Sequence, residues 1–267
     1  MLEKLLSTEN ITRWGVCRFE DTLPILDCRA KSRLPENPKS IIVALFPYRL
    51  EDYGERNISK YAVVPDYHKV CTEKLERVCE GLKKLYPDNN FACFADNSPI
   101  RETVAANLAG LGTIGKNGLL ISETYGSYVF IAEIVTDLEL SPSLPCEDVC
   151  LECDLCVKNC PSGAIKNGRI EQQICLSYIT QKKGTLTEDE QKLVKKGGMV
   201  WGCDVCSDVC PMNKNTHFTN LKEFQTDTVF KVDYPENNRE IQDRAFGFRG
   251  AEVIRRNLTL LNQEGNR

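Results

Sequence analysis

Two cysteine runs in the second half of the sequence have the spacing that iron–sulfur chemistry needs. Residues 150–161 read Cys-Leu-Glu-Cys-Asp-Leu-Cys-Val-Lys-Asn-Cys-Pro, which matches C-x2-C-x2-C-x3-C-P at every position. Residues 203–211 repeat the last two-thirds of this pattern. Cysteines three residues apart aim their thiolates at corners of one cubane, and the cysteine before proline points to a second one. The spacing therefore predicts two [4Fe–4S] clusters.

Crossed ligation, as in two-cluster ferredoxins, divides the cysteines between the clusters. The ligands predicted for the first cluster are Cys150, Cys153, Cys156 and Cys210. The second set is one short, because Val200 stands where the repeat requires cysteine. With Cys175 as the substitute, its predicted ligands are Cys160, Cys175, Cys203 and Cys206. Cys146 lies close enough to Cys150 to be an alternative ligand.

Other uses of these cysteines fit the pattern less well. C-x2-C pairs also bind structural zinc, but eight cysteines with two Cys-Pro endings favour clusters over zinc and over disulfides. The 14 cysteines suit a reducing compartment. The six outside the pattern are interpreted mainly as small buried hydrophobic residues: Cys17, Cys28, Cys71, Cys79, Cys93 and Cys146.

Composition and charge narrow the class of protein. The 267 residues are 42% hydrophobic and 27% charged, as in ordinary soluble proteins. No apolar run approaches the ~20 residues of a membrane span, and the first residues do not resemble a signal peptide, so we expect a cytoplasmic protein. A net charge of −4 gives no overall basic surface for nucleic acid. One basic run, residues 182–196, is either a solvated helix face or a contact for an RNA backbone.

The first half predicts a mixture of strands and helices. Residues 39–46 form a β-branched run typical of a strand buried on both faces. Residues 66–85 have a helical stripe, and residues 91–95 predict a strand that ends at Asp96. A helix is expected to begin at residues 97–99, where Asp96 could cap it. Residues 119–122 and 128–136 are expected to form a hairpin.

Residues 110–115 match G-x-G-x-x-G, but these glycines follow a helix and precede a strand, so the dinucleotide-binding interpretation fails. Either they end the helix, or they bring the backbone close to a flat ligand; we favour the second. A proline-rich segment at residues 141–145 suggests a boundary. The predicted units are 1–140, an α/β lobe; 141–220, the cluster module; and 221–267, a tail with one helix.

The order of these motifs resembles the epoxyqueuosine reductases, which are cobalamin-dependent iron–sulfur enzymes of queuosine biosynthesis in tRNA. The resemblance covers most of residues 35–215. The matching segments are residues 58–62 and 66–69, residues 96–102, residues 109–117, residues 126–127 and 133–137, the cysteine runs, and residues 175–180. Reductive dehalogenases are similar more distantly. The resemblance implies an α+β protein: a nitroreductase-like cobalamin-binding lobe followed by a ferredoxin-like helical module.

The same resemblance implies site residues and partners. Asp96 matches the family's catalytic aspartate. The residues implied to contact base-off cobalamin are Lys60, Asp96, Gly112, Leu120, Ser177, Asp204 and Val205. Neither histidine, His68 or His217, is expected as an axial cobalt ligand, and the simple interpretation of His68 is a hydrogen bond at a helix start. An external donor such as ferredoxin or flavodoxin, a tRNA substrate, a monomeric state and no membrane association are expected.

The implied reaction is a two-electron removal of an epoxide oxygen, with Asp96 as proton donor. Because a free aspartate is ionised at neutral pH, this role predicts that burial raises the pKa of Asp96. The sequence departs from the family at Thr113 and Met212, which replace tryptophans, and its C-terminal helical repeats are reduced to about one helix. Two alternatives stay open: a two-cluster electron-transfer protein, and a cobalamin-dependent reductase of a small molecule.

Overall fold

A computed structural model of the chain describes residues 1–166 and 168–262. Its main sheet has the strand order β1-β2-β6-β3, and all neighbouring strands are antiparallel. The strands of the chain are β1 Arg13–Arg18, β2 Ser40–Pro47, β3 Phe91–Ala95, β4 Thr113–Ile114, β5 Leu120–Ile121, β6 Val129–Thr136, β7 Ile165–Lys166 and β8 Arg169–Ile170. The helices are α1 Leu2–Thr8, α2 Lys60–Val63, α3 Tyr67–Leu85, α4 Glu102–Leu108, α5 Leu155–Asn159, α6 Leu176–Gln181, α7 Glu188–Gly197, α8 Val205–Asp208, α9 Lys222–Gln225 and α10 Ala251–Asn262. The predicted α+β class is confirmed.

Helices cover both faces of the main sheet. Strand β2 is buried at every position, as its β-branched sequence predicts. Alternate residues of β2 point to opposite faces, so Ile42 and Phe46 pack toward α1 and α3, whereas Ile41 and Leu45 pack toward α4. The long helix α3 begins after Asp66, whose side chain accepts a hydrogen bond from the His68 N–H at 3.1 Å. This cap fixes the start of α3 beside the end of β3.

Three local predictions were wrong or incomplete. Helix α4 begins at Glu102, not at residues 97–99, because Asp96 and Asn97 have positive φ angles of 55° and 39° and form a turn. The expected hairpin does not form, since β5 pairs with β4, while β6 pairs with β2 and β3. Strand β1 had no clear signal because its Arg-Trp-Gly-Val-Cys-Arg sequence mixes polar and apolar residues.

The C-terminal residues belong to the folded core. Ile58 and Val63 of the first lobe pack with Trp201 of the cluster module and with Phe246 and Ile254 from the tail. The predicted boundaries at residues 140 and 220 stay predictions, but residues 221–262 join the other two units and are not a separate appendage. Within the described residues, no helix is both long and apolar enough to cross a bilayer.

We expect Asn257→Leu to destabilise this junction. Asn257 is fully buried in α10, and its amide donates to the carbonyls of Thr180 and Val200, each at 2.7 Å. Leucine would leave the Val200 carbonyl without its donor and the Thr180 carbonyl with only the Arg256 guanidinium at 3.4 Å, at a cost of about 2 kcal/mol, or roughly 4–8 °C in Tm. Anaerobic thermal melting measures the change. Asn262→Leu, at the exposed end of the same helix, is the control; equal melting of both variants would contradict the role of Asn257.

Candidate active site and cluster cavities

The first predicted cysteine set lies around a small cavity of about 20 Å³. Its lining includes all four members: Cys150, Cys153, Cys156 and Cys210. Burial is the main effect that raises the pKa of Cys210; a hydrogen bond from the Met212 backbone opposes it, and the charges of Cys153 and Cys150 add to it. Helix α5 begins at Leu155, within the first cysteine run, and helix α8 carries the chain to Cys210. Facing short helices therefore bring the set together.

The second predicted set lines a larger cavity of about 530 Å³: Cys160, Cys175, Cys203 and Cys206. Burial, followed by the charges of the other three cysteines, raises the pKa of Cys206 to about 12. Cys175 is therefore placed where the repeat lacks a ligand, whereas Cys146 lies beside Gly110 and lines neither cavity within the described residues. Each group offers the four thiols that a [4Fe–4S] cluster takes, so the donor chemistry fits two clusters.

A glycine positions the second cysteine run against the first lobe. Gly202 has a φ of 76°, and a Cβ at this position would lie 2.0 Å from the hydroxyl of Ser59. Its N–H donates to the Thr180 hydroxyl at 2.8 Å, which ties the run to α6. Cys203 follows directly, so this contact fixes it at the boundary between the two lobes.

The larger cavity lies between the two lobes. Tyr48, Tyr61 and Leu119 line it from the α/β lobe, and Ser177 and Asp204 line it from the cluster module. Two of the predicted cofactor-contacting residues, Ser177 and Asp204, are therefore at its wall. The cavity therefore brings the second cysteine set together with residues of the α/β lobe.

Asp204 is held by charges from the first lobe. Its carboxylate accepts from the Arg56 guanidinium at 2.7 Å and from the Lys60 backbone N–H at 2.9 Å. Burial raises the pKa of Asp204, and the charge of Arg56 opposes this shift. The Lys60 ammonium is paired with Asp208. Lys60 does not line the cavity; it anchors α8 and with it the second cysteine run.

Five of the seven residues implied to contact the cofactor do not line this cavity: Lys60, Asp96, Gly112, Leu120 and Val205. Leu120 is buried in the core beneath the sheet, while its neighbour Leu119 faces the cavity, as the pleat of a strand requires. A Cβ on Gly112 would lie 2.4 Å from the carbonyl oxygen of Ile121, so this glycine permits close contact with the protein's own backbone. Val205 begins α8 but does not line the cavity. Their cofactor contacts rest on resemblance alone.

Asp96 belongs to a carboxylate–histidine–carboxylate chain. The His68 Nε2 atom lies 3.1 Å from Asp96 Oδ2, and the His68 Nδ1 atom lies 2.6 Å from Asp66 Oδ1. Tyr67 stacks on the His68 ring with a centroid distance of 4.0 Å. Asp96 therefore does not cap α4. Sequence reasoning missed this chain because residues 66–68 and residue 96 lie on different elements that only the fold brings together.

The protonation states of His68 and Asp96 differ from the expectation drawn from the sequence. Burial would lower the pKa of His68, but hydrogen bonds to Asp66 and Asp96 outweigh it and raise that pKa to about 9. The hydrogen bond from His68 lowers the pKa of Asp96, against a smaller opposing effect of burial. The predicted rise in the pKa of Asp96 is therefore wrong in this structure. At neutral pH the proton is on the imidazole, and Asp96 is a carboxylate.

Two acids, the fully buried Glu133 and the half-buried Glu102, lie behind the Asp96 turn. Glu133 in β6 is fully buried and accepts a hydrogen bond from the Ser98 hydroxyl. Burial, followed by the charge of Asp96, raises the pKa of Glu102 to about 8, and burial raises that of Glu133 as well. The raised pKa values favour the protonated, neutral form of both carboxyl groups. The sequence signal for Glu133 was an acid in the middle of the apolar strand 129–136.

Segments in both halves of the chain match known protein families. Residues 29–97 match the family model described as epoxyqueuosine reductase QueG, DUF1730, and residues 149–213 match a 4Fe-4S double cluster binding domain. The second match contains all eight predicted ligands and confirms the prediction of two clusters. The chain is 33% identical over 252 residues to the epoxyqueuosine reductase of Lactococcus garvieae, covering 87% of this chain and 71% of that protein.

Solved structures agree with these matches. An epoxyqueuosine reductase in complex with an epoxyqueuosine-modified tRNA-Tyr stem loop has a TM-score of 0.81 and 26% identity, covering 97% of this chain and 80% of that one. A reductive dehalogenase with B12-dependent chemistry shares the fold at a TM-score of 0.55 and 17% identity, over 97% of this chain and 36% of that one. Curated relatives are covered over 42% to 72% of their length. The chain belongs to the epoxyqueuosine reductase family.

Proposed function

We propose that this chain reduces epoxyqueuosine in tRNA to queuosine, with two [4Fe–4S] clusters and base-off cobalamin as its cofactors. One observation carries the proposal. A single cavity is lined both by the four cysteines of the second set and by Tyr48 and Tyr61 of the α/β lobe. A cofactor in this cavity would lie between an electron source and the lobe that carries Asp96. Membership of the family supports the same reaction.

The cavity suits a flat cofactor with an apolar face and polar edges. Its volume of about 530 Å³ is that of a ligand pocket, and Leu119, Ile165 and Leu176 lie among polar groups such as Ser177 and Asp204. Neither histidine lines this cavity, so neither is placed to bind a metal in it. Both ring nitrogens of His68 face carboxylates, and His217 packs edge-on against Tyr125. These residues fit a cobalamin held without a histidine ligand.

When bound, the clusters and cobalamin supply single electrons and a low-valent cobalt nucleophile. The overall reaction consumes two electrons and two protons, and it converts an epoxide into an alkene and water. The protein's own residues hold the proton and deliver it to the substrate. Asp66 holds the His68 ring, His68 stores a proton at Nε2, and Asp96 passes it to the departing oxygen, a role typical of general acid catalysis.

Electrons are proposed to enter at the first cysteine set. Cys153 is exposed there, and the neighbouring Leu151 is 63% exposed, which gives an external ferredoxin or flavodoxin a short path to the first cluster. The second set then leads to the cavity. We further propose that the chain acts as a cytoplasmic monomer.

Anaerobic reconstitution followed by a substrate assay tests the proposal. The chain is loaded with iron, sulfide and cobalamin, and electron paramagnetic resonance is expected to show a stoichiometric base-off Co(II) signal. Reduced protein is then incubated with tRNA from a strain arrested at epoxyqueuosine, and nucleosides are separated by mass spectrometry. Two clusters without bound cobalamin would favour an electron-transfer protein. Bound cobalamin without queuosine would favour a reductase of another substrate.

A further inference from the structure

Two cysteines outside the cluster sets lie side by side at the edge of the main sheet. Cys79 is in α3, and Cys93 is in β3, which stands at one end of the strand order β1-β2-β6-β3. Helix α3 packs directly on this strand. Cys93 shares the α3 face of the sheet with Phe91 and Ala95, and both cysteines pack against the core on that face. The fold therefore places two thiols on facing elements.

These two thiols contact each other. The Cys79 thiol donates a hydrogen bond to the sulfur of Cys93. Both side chains are partly exposed, whereas Cys17 and Cys71 are buried. The interpretation of Cys79 and Cys93 as small buried hydrophobic residues is therefore incomplete, because the pair is within reach of small molecules in solution.

The surroundings make Cys93 the more reactive thiol of the pair. The hydrogen bond from Cys79 is the largest effect on the pKa of Cys93 and lowers it. Burial and the charge of Glu76 oppose this shift, while Arg33, whose guanidinium donates to the Cys93 carbonyl, favours it. The same hydrogen bond, burial and the charges of Cys93, Glu76 and Glu80 raise the pKa of Cys79. A thiol of lowered pKa beside a second cysteine is typical of sites of reversible oxidation.

We propose that Cys79 and Cys93 form a reversible disulfide, at a redox site separate from the clusters, and that the oxidant is a small-molecule disulfide of the glutathione class. The Cys93 thiolate attacks one sulfur of the oxidant, which forms a mixed disulfide and releases one thiolate. The Cys79 thiolate then attacks the Cys93 sulfur and releases the second. Two protein thiols lose two electrons, the oxidant gains them, and the two cysteine protons end on its two thiols.

This bond would join the two elements that carry the Asp66–His68–Asp96 chain. His68 lies in the first turn of α3, and Asp96 follows the last residue of β3. The bond would also close a loop of 15 residues, from Cys79 to Cys93, in the unfolded chain. Closure of a loop of this length is expected to raise the Tm of the protein by roughly 6–12 °C.

Peptide mapping of the reconstituted protein tests the pair. The protein is equilibrated without oxygen in mixtures of reduced and oxidised glutathione, quenched in acid, alkylated with N-ethylmaleimide and digested with trypsin. Trypsin releases Cys79 in residues 78–83 and Cys93 in residues 85–101, each as the one cysteine of its peptide. The joined peptides are expected to increase with the proportion of oxidant, together with the Tm, and to separate on treatment with dithiothreitol. Iron analysis of the same samples verifies that the cluster cysteines stay ligated.

Single variants distinguish the pair from general thiol oxidation. Cys79→Ser is expected to stop at the mixed disulfide between Cys93 and glutathione and to show no rise in Tm. Cys93→Ser is expected to leave Cys79 as a free thiol, because burial and its acidic neighbours keep it protonated. The matched control is Cys28→Ser, which replaces a partly exposed cysteine outside the pair and is expected to form the joined peptides as the wild type does.

Two results would overturn the proposal. In one, Cys79 and Cys93 are both recovered as alkylated thiols at every glutathione ratio. In the other, Cys93 is joined to other cysteines as often as to Cys79. Neither measurement uses cobalamin or a tRNA substrate, so the result for the pair is independent of the proposed reaction.

Discussion

Cys175→Ala is expected to halve the iron content of the reconstituted protein, from about eight to about four atoms per chain. The second cysteine set has no other fourth member, because Val200 occupies the position that the repeat reserves for cysteine and is itself fully buried. Cys175 begins α6 at the edge of the cavity, so alanine there removes a thiol without opening the core. The first set, which lies around its own cavity, is expected to keep its cluster.

Iron and sulfide analysis with electron paramagnetic resonance of the reduced protein measures this change. Cys146→Ala is the matched control, since Cys146 lines neither cavity, and it is expected to retain both clusters. If Cys175→Ala kept about eight irons while Cys146→Ala lost four, the ligand assignment would be reversed. Loss of all iron from Cys175→Ala would mean that the two clusters cannot assemble independently.

The cysteine sets could be predicted because their geometry is encoded locally. A C-x2-C-x2-C turn directs three thiols to one point whatever surrounds it, and crossed ligation follows from the repeated motif. The same holds for β2 and α3. The continuous apolar run of β2 predicts burial on both faces, and the apolar stripe of α3 predicts burial on one face. In these elements the local preference and the global fold agree.

The catalytic residues could not be derived in the same way. The role of Asp96 was inferred from resemblance, but its pKa depends on His68, which lies 28 residues away in helix α3. The failure at residues 119–122 has a similar cause. A short strand has no periodicity that selects its partner, so the sequence did not indicate that β5 pairs with β4, nor that Leu119 lines the cavity while Leu120 lies in the core.

Asp96→Asn is expected to lower kcat by about 100- to 10,000-fold while cobalamin and both clusters remain bound. The asparagine preserves the shape of the turn and can still contact His68, but it cannot pass a proton to the substrate oxygen. Asp96 does not line the cofactor cavity, so its loss is not expected to change cofactor content. Asp137→Asn is the control, because this carboxylate lies at the opposite end of β6 and accepts hydrogen bonds from Asn89 and Asn90. Normal turnover by the Asp96 variant would exclude it as the proton donor.

The pH profile of kcat identifies where that proton is held. Since the pKa of His68 is raised to about 9, its ring is charged below that pH, and the rate is expected to fall as pH rises through it. In His68→Gln the cation that lowers the pKa of Asp96 is gone, so that pKa is expected to rise toward its ordinary value. The variant should therefore be slower, and its rate should decline at a pH well below 9. An alkaline limb shared by both proteins would place the proton elsewhere, and the acids Glu102 and Glu133 would then be the groups to replace.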